Sequence, residues 1–219
     1  MKSETRLIAG PAGKIEVIVD SPAHPSGIAL IAHPHPLGGG ANTNKVAHTL
    51  ARAFVGLGYS AWRPNFRGVG QSEGSHDEGE GESWDLLAVL ATARAELGDL
   101  PVALAGFSFG AYCQTRVAHQ LVQDGHPALG LVLVGTAAGF VEGTRHYDTA
   151  AVPPDTLVIH GSADTTVPLA NVLAWAEPLD LPVVVLPGAD HFFHRRLHTL
   201  RDLVVRHWRG LTQAADRRH

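Results

Sequence analysis

Five short apolar runs, at residues 28–32, 102–107, 129–135, 156–160 and 183–186, are continuous rather than alternating and are punctuated by Gly and Pro. A strand with one face in water alternates apolar and polar side chains, so a continuous run needs cover on both faces, as in a parallel sheet sandwiched by helices. Two more segments, 14–19 and 60–65, read as strands, the first alternating as an edge strand would. Between these lie helix-length stretches with apolar residues at helical spacing, at 44–57, 83–97, 111–123, 169–176 and 194–208. Strand and helix alternate along the chain, which predicts right-handed βαβ units in an α/β, mostly parallel, doubly wound sheet flanked by helices. Ligands are expected outside the carboxyl ends of its strands. At 219 residues, one domain spanning 1–219 is expected.

Composition narrows the function classes. A hydrophobic fraction of 45% with 17% charged residues argues for a packed core and against disorder. The formal net charge of -4 leaves no basic footprint, so nucleic acid is not an expected partner. The lone Cys113 excludes an intrachain disulfide and suits a reducing compartment, which makes cytoplasm the expected location. The first ten residues lack the apolar run of a signal peptide, and no stretch approaches the roughly 20 apolar residues of a membrane span, so no membrane partner is expected. Residues 74–83, GSHDEGEGES, read as a solvated acidic loop.

The sharpest chemical signal is Gly106-Phe107-Ser108-Phe109-Gly110, after one predicted strand and before a helical pattern. This is G-x-S-x-G in the context it needs: a strained strand-to-helix turn that projects the serine hydroxyl while the glycines let neighbouring chain approach. The Phe109 amide then sits at a helix N-terminus, where it can hold an oxyanion. A serine hydroxyl is a weak nucleophile near neutral pH and needs a base and a group to orient that base. Asp164 follows the run at 156–160, and His191 follows the run at 183–186. Ser108, Asp164 and His191 thus come in the order of this fold, each after a different strand. Taken singly, Asp164 could equally cap the next helix. Asp190 competes for the acid role, but it is adjacent to His191, and neighbours in a loop orient one another poorly.

A second oxyanion donor is expected from the loop His33-Pro34-His35-Pro36-Leu37-Gly38-Gly39-Gly40. Proline has no N–H, which leaves the backbone amides of His35 and Leu37. His33 is expected to brace the loop by hydrogen bonding; with no Cys or carboxylate interleaved, His33 and His35 make a poor metal site. His194 and His198 read as residues of the last helix. No metal and no organic cofactor is required.

Four blocks, HPHPLGGG, NFRGVGQS, GFSFG and the pair HGSADTTVP and GADHFF, carry a resemblance to the α/β-hydrolase superfamily along most of the chain. Within it the arrangement resembles small cap-less bacterial serine hydrolases and esterases related to dienelactone hydrolases. The resemblance implies a triad of Ser108, Asp164 and His191, with Phe109 and the His35/Leu37 region at the oxyanion hole. Asn65 stands where Asp is usual in the block at 65–72. Dienelactone hydrolases use a cysteine nucleophile, so their substrate does not carry over to Ser108. Only residues 136–155 are available between the elbow's following strand and the acid, too few for a helical cap, so an open pocket is expected. Phe140, His146, Tyr147, Trp175 and Phe192 are candidates to line it.

The expected function is hydrolysis of small carboxylic esters through an acyl-enzyme. A peptide, thioester, lactone or acyl-transfer substrate on the same triad is the enzymatic alternative; a ligand-binding protein with an idle triad is the alternative of another class.

Overall fold

The computed structural model describes residues 2–141 and 145–216. In chain order the elements are β1 (Lys2–Gly10), β2 (Gly13–Ser21), β3 (Gly27–Ala32), α1 (Lys45–Gly56), β4 (Tyr59–Pro64), α2 (Glu80–Leu97), β5 (Val102–Phe107) and α3 (Phe109–Gln123). They continue with β6 (Gly130–Val134), β7 (Gly139–Val141), β8 (Arg145–Tyr147), β9 (Leu157–Gly161), α4 (Leu169–Ala176), β10 (Val183–Leu186) and α5 (Leu197–Asp216). Eight strands form one sheet in the order β1-β2-β4-β3-β5-β6-β9-β10. From β4 to β10 all neighbours are parallel, and β1–β2 and β2–β4 are antiparallel.

The continuous apolar runs follow from cover on both faces. Ile28, Leu30 and Leu104 point into a core with Leu86, Val89 and Leu90 of α2 and Val117 and Leu121 of α3. Ala29, Ile31, Ala103 and Ala105 point to the opposite face, against Leu50 and Phe54 of α1 and Leu200, Val204 and Trp208 of α5. Trp208 meets Phe54 and Tyr59 edge-on, with ring centroids 4.9 and 5.7 Å away, which clamps α5 to α1 and the start of β4. α1 begins where Asn44 Oδ1 accepts the amides of Val46 and Ala47, a capping arrangement that satisfies two orphan donors.

Three sequence expectations need correction. The alternating strand at 14–19 is not the edge: β1 pairs with β2 over its whole length, Lys2 opposite Ser21 and Gly10 opposite Gly13, and takes the rim. The acidic stretch at 74–83 is only partly a loop, because α2 begins at Glu80 and the Glu82 side chain is buried. The last helix starts at Leu197, not at residue 194; His194 lies in the preceding turn, where Asp190 accepts from its amide (3.0 Å) and pairs with its ring (2.6 Å). The described residues of 136–155 carry no helix, only the small antiparallel pair β7–β8.

Candidate active site

β5 lies centrally in the sheet, and its carboxyl end delivers Ser108 into a turn with φ 56° and ψ -120°. A non-glycine residue pays conformational energy in this left-handed region, and such residues persist only where the surroundings fix them. The flanking glycines explain how the turn closes. A Cβ on Gly106 would sit 2.4 Å from the Gly110 carbonyl oxygen, and one on Gly110 would sit 2.4 Å from that of His33. α3 therefore packs directly against the start of the His33–Gly40 loop, which only hydrogen at position 110 permits.

The loop after β9 places Asp164. Asp164 Oδ1 accepts the amides of Thr166 (2.9 Å) and Val167 (2.8 Å), leaving Oδ2 to face His191. His160 at the end of β9 meets the Val167 carbonyl at 3.0 Å and lies 3.4 Å from Asp164 Oδ2, so the acid loop is cinched across its base. Burial holds the His160 imidazole below its ordinary pKa, and as a neutral ring it donates to Val167. The loop after β10 places His191. Its close approach to the acid loop requires Gly161, where a Cβ would lie 2.3 Å from the Ala189 carbonyl oxygen. Ala163 donates its amide to that same oxygen at 3.0 Å.

The three side chains converge although they come from separate loops. His191 Nδ1 lies 2.7 Å from Asp164 Oδ2, and Nε2 lies 3.0 Å from Ser108 Oγ. All three are buried, and the imidazole packs against Phe107 with centroids 4.9 Å apart. This network places the ring proton on Nδ1, donated to Asp164, and directs the Nε2 lone pair at the serine hydroxyl. Asp190, the competing acid, is turned to His194 instead.

The two oxyanion candidates after β3 are not equivalent. His35 Nδ1 accepts the Leu37 amide at 3.2 Å, and Leu37 does not border the cavity holding Ser108. The amides of His35 and Phe109 have no acceptor among the described residues, and both residues border that cavity. His33 is fully engaged: Nδ1 donates to the Pro34 carbonyl (2.7 Å) and Nε2 accepts the Phe66 amide (2.9 Å). Burial lowers its pKa to about 4, so it stays neutral, and neither ring nitrogen has a lone pair left for a metal.

The cavity over Ser108 measures about 170 Å³ and is bordered by Tyr147 and Phe192, two of the five aromatic or imidazole candidates. His146 borders an adjoining cavity instead. Phe140 is largely exposed and meets the His146 ring edge-on, while Trp175 donates Nε1–H to the Thr149 carbonyl and packs against the loop before β9. Sequence reasoning passed over His76 and Glu82. Glu82 Oε2 accepts the Gly79 amide, and Oε1 accepts that of Asp77 and meets His76 Nδ1 at 2.8 Å. The signal was a glutamate three residues after the cap of α2, half of a capping box.

A mostly parallel sheet whose central strand ends in a strained serine, with a buried carboxylate and imidazole delivered by the loops after β9 and β10 beyond β6, defines an α/β-type serine hydrolase. The chain belongs to the α/β-hydrolase fold family, whose sequence model matches residues 35–155. A serine hydrolase homologue from Coxiella burnetii is 41% identical, with a TM-score of 0.83, over 94% of this chain and 97% of that one. XC6422 from Xanthomonas campestris, a serine hydrolase without lid, is 36% identical with a TM-score of 0.85, over 96% and 95% of the two chains. RP471 of Rickettsia prowazekii is 33% identical over 193 residues, 84% of this chain and 79% of that protein. Likeness to the lidless Xanthomonas protein agrees with the absence of a helix from the described part of 136–155.

Proposed function

We propose that the chain hydrolyses carboxylic esters, with Ser108 as nucleophile, His191 as general base and acid, and Asp164 as the group that orients His191. The observation that carries this reading is the single imidazole bridging Ser108 Oγ at 3.0 Å and Asp164 Oδ2 at 2.7 Å. In the first half-reaction Ser108 Oγ attacks the ester carbonyl carbon as His191 Nε2 takes its proton, and Asp164 stabilises the imidazolium without accepting the proton. The oxyanion is received by the amides of Phe109 and His35, which are fixed in place before the charge develops. Collapse of the tetrahedral intermediate breaks the bond to the alcohol oxygen, which leaves with the proton from His191. A water molecule, deprotonated by His191, then releases the acid and restores Ser108. The small cavity over Ser108 favours short acyl groups.

The test is an activated short-chain ester together with a fluorophosphonate probe. Wild-type protein should turn over p-nitrophenyl acetate and take up one equivalent of probe at Ser108. Ser108→Ala should lose at least about 10³-fold in kcat and all labelling. Full turnover by Ser108→Ala, or an unlabelled wild-type protein, would sink the assignment.

A further inference from the structure

Beside the cavity over Ser108 lies a second one of about 760 Å³, and the two share His35, Gly38, Phe109, Arg145 and Tyr147 as walls. Its remaining border includes His76, whose ring centroid is 4.7 Å from that of His35 and 5.3 Å from that of Phe109. These imidazoles are presented in complementary states. His35 Nδ1 accepts the Leu37 amide, so its ring proton is on Nε2, a donor with no partner among the described residues. His76 Nδ1–H is given to Glu82, a fully buried carboxylate that also accepts two backbone amides. With its ring proton on Nδ1, His76 presents a lone pair at Nε2, an acceptor. Burial, with the Arg145 charge nearby, lowers the pKa of His35 to about 4, which keeps it a neutral donor at ordinary pH.

A donor and an acceptor on adjacent rings fit a group that can both accept and donate. A carboxylate or phosphate would meet the His76 lone pair with the Glu82 carboxylate behind it, a repulsive end to the site, although Arg145 at the shared wall would pull the other way. An alkyl group would leave both nitrogens unpaired and desolvated. We propose that this second cavity is the subsite for a neutral, hydroxyl-bearing arm of the ester, a polyol-like group that accepts from His35 Nε2–H and donates to His76 Nε2. The proposal rests on the ester-hydrolase reading and specifies its substrate class: a small moiety over Ser108 and a hydroxylated one beside it.

The test compares matched esters at pH 8, above the ordinary imidazole range. Glycerol monoacetate is set against propyl acetate, and methyl 3,4-dihydroxybutanoate against methyl butanoate, because the hydroxylated arm can belong to the alcohol or to the acyl side. In at least one pair kcat/KM should favour the hydroxylated ester by about tenfold, the worth of one or two hydrogen bonds. His76→Phe keeps a ring against His35 and Phe109 but has no acceptor, and that ratio should fall by about fivefold or more. Equal rates within both pairs, a preference unchanged by His76→Phe, or a stronger preference for monoethyl succinate would each overturn the proposal. Should His76→Phe fail to fold, inhibition of the wild-type protein decides: glycerol is expected to compete with substrate at concentrations where 1-propanol does not, and equal inhibition by the two refutes the subsite. Fluorophosphonate labelling separates the failures. A protein labelled at Ser108 but without the preference loses only the subsite, whereas an unlabelled one loses the ester-hydrolase reading too.

Discussion

At the scale of single residues, Ser108 combines two demands that ordinarily conflict, the side chain that the proposed function needs and a backbone at φ 56° that suits glycine. The amide of Ser108 donates to the Val134 carbonyl at 2.8 Å and its carbonyl accepts from Ala111 and Tyr112, so the turn is held from the strand and from the helix. Strain of this kind costs about 1–3 kcal/mol. Comparing Ser108→Gly with Ser108→Ala isolates it, because both variants lack the hydroxyl and differ only in the Cβ. Relief of strain, less the roughly 0.5–1 kcal/mol of extra chain entropy that glycine loses on folding, should leave Ser108→Gly more stable by about 1 kcal/mol. In a protein of this length that is a thermal midpoint higher by about 2–4 °C, with both variants inactive. An alanine variant that melts at or above the glycine variant would mean the turn stores no strain. The residues of this site were the most legible part of the sequence, because Ser108, Asp164 and His191 each follow a strand and come in the order of the fold. The choice between His35 and Leu37 was not legible, since it depends on where the His35 ring turns, a matter of side-chain geometry rather than residue type.

Between elements, the turn after β4 explains the departure at Asn65. Its Oδ1 accepts the Asn42 amide at 2.8 Å, and its Nδ2 donates to Glu16 Oε2 of β2, also at 2.8 Å. The Gln71 amide donates to that same carboxylate oxygen, and Ser72 Oγ bridges the Asn65 carbonyl and the Glu16 amide. With Glu16 in place, an aspartate at 65 would set two carboxylates in contact. Asn65→Asp should therefore lose a hydrogen bond and gain a repulsion, about 2 kcal/mol at pH 7, measured by urea unfolding. Adding Glu16→Gln should recover most of that loss, and a double variant no more stable than Asn65→Asp alone would refute the pairing. Run 102–107 coincides with β5, whose six residues are all buried, and the runs 183–186 and 169–176 coincide with β10 and α4 although those elements are only partly covered, because Gly and Pro bound them in the sequence. β1 escaped notice because an edge strand carrying Lys2, Glu4 and Arg6 lacks an apolar run; it is held by pairing with β2 and by contacts that no local pattern shows, Arg6 on Glu96 and over the Trp62 ring. The start of α2 escaped notice because its first turn is acidic and glycine-rich. Glu82 reads as a surface charge until its three N–H donors, all within six residues, are in view.

Across the whole molecule, folding around neutral imidazoles sets how stability must respond to acid. His33, His35, His48, His160 and His207 all have pKa values pushed down, in each case chiefly by burial. His33 is the clearest, because it is buried with both ring nitrogens bonded and its pKa is lowered from 6.5 to about 4. Its two hydrogen bonds join the loop after β3 to the turn after β4, so protonating it would abolish the acceptor that meets the Phe66 amide. Between about pH 6.5 and 4 the unfolded chain binds a proton at this position that the folded chain refuses, and stability falls as pH falls through that window. For His33 alone the loss approaches about 3 kcal/mol by pH 4, at up to about 1.4 kcal/mol per pH unit. The buried His160 acts in the same direction, and the more exposed His35, His48 and His207 do so less strongly, since water screens them. Asp20, whose pKa is lowered despite burial by hydrogen bonds from Ser3 and Arg63, adds a loss of the same sign in more acidic solution. Urea unfolding at pH 7.5, 6.5, 5.5 and 4.5 should therefore give a steadily falling free energy. His33→Gln should be less stable than wild type at pH 7.5 but show a shallower slope, by close to one proton, between pH 6 and 4.5. Equal slopes for the two proteins would mean that the folded state admits a charged His33, and the neutral bridge between the two loops would have to be abandoned.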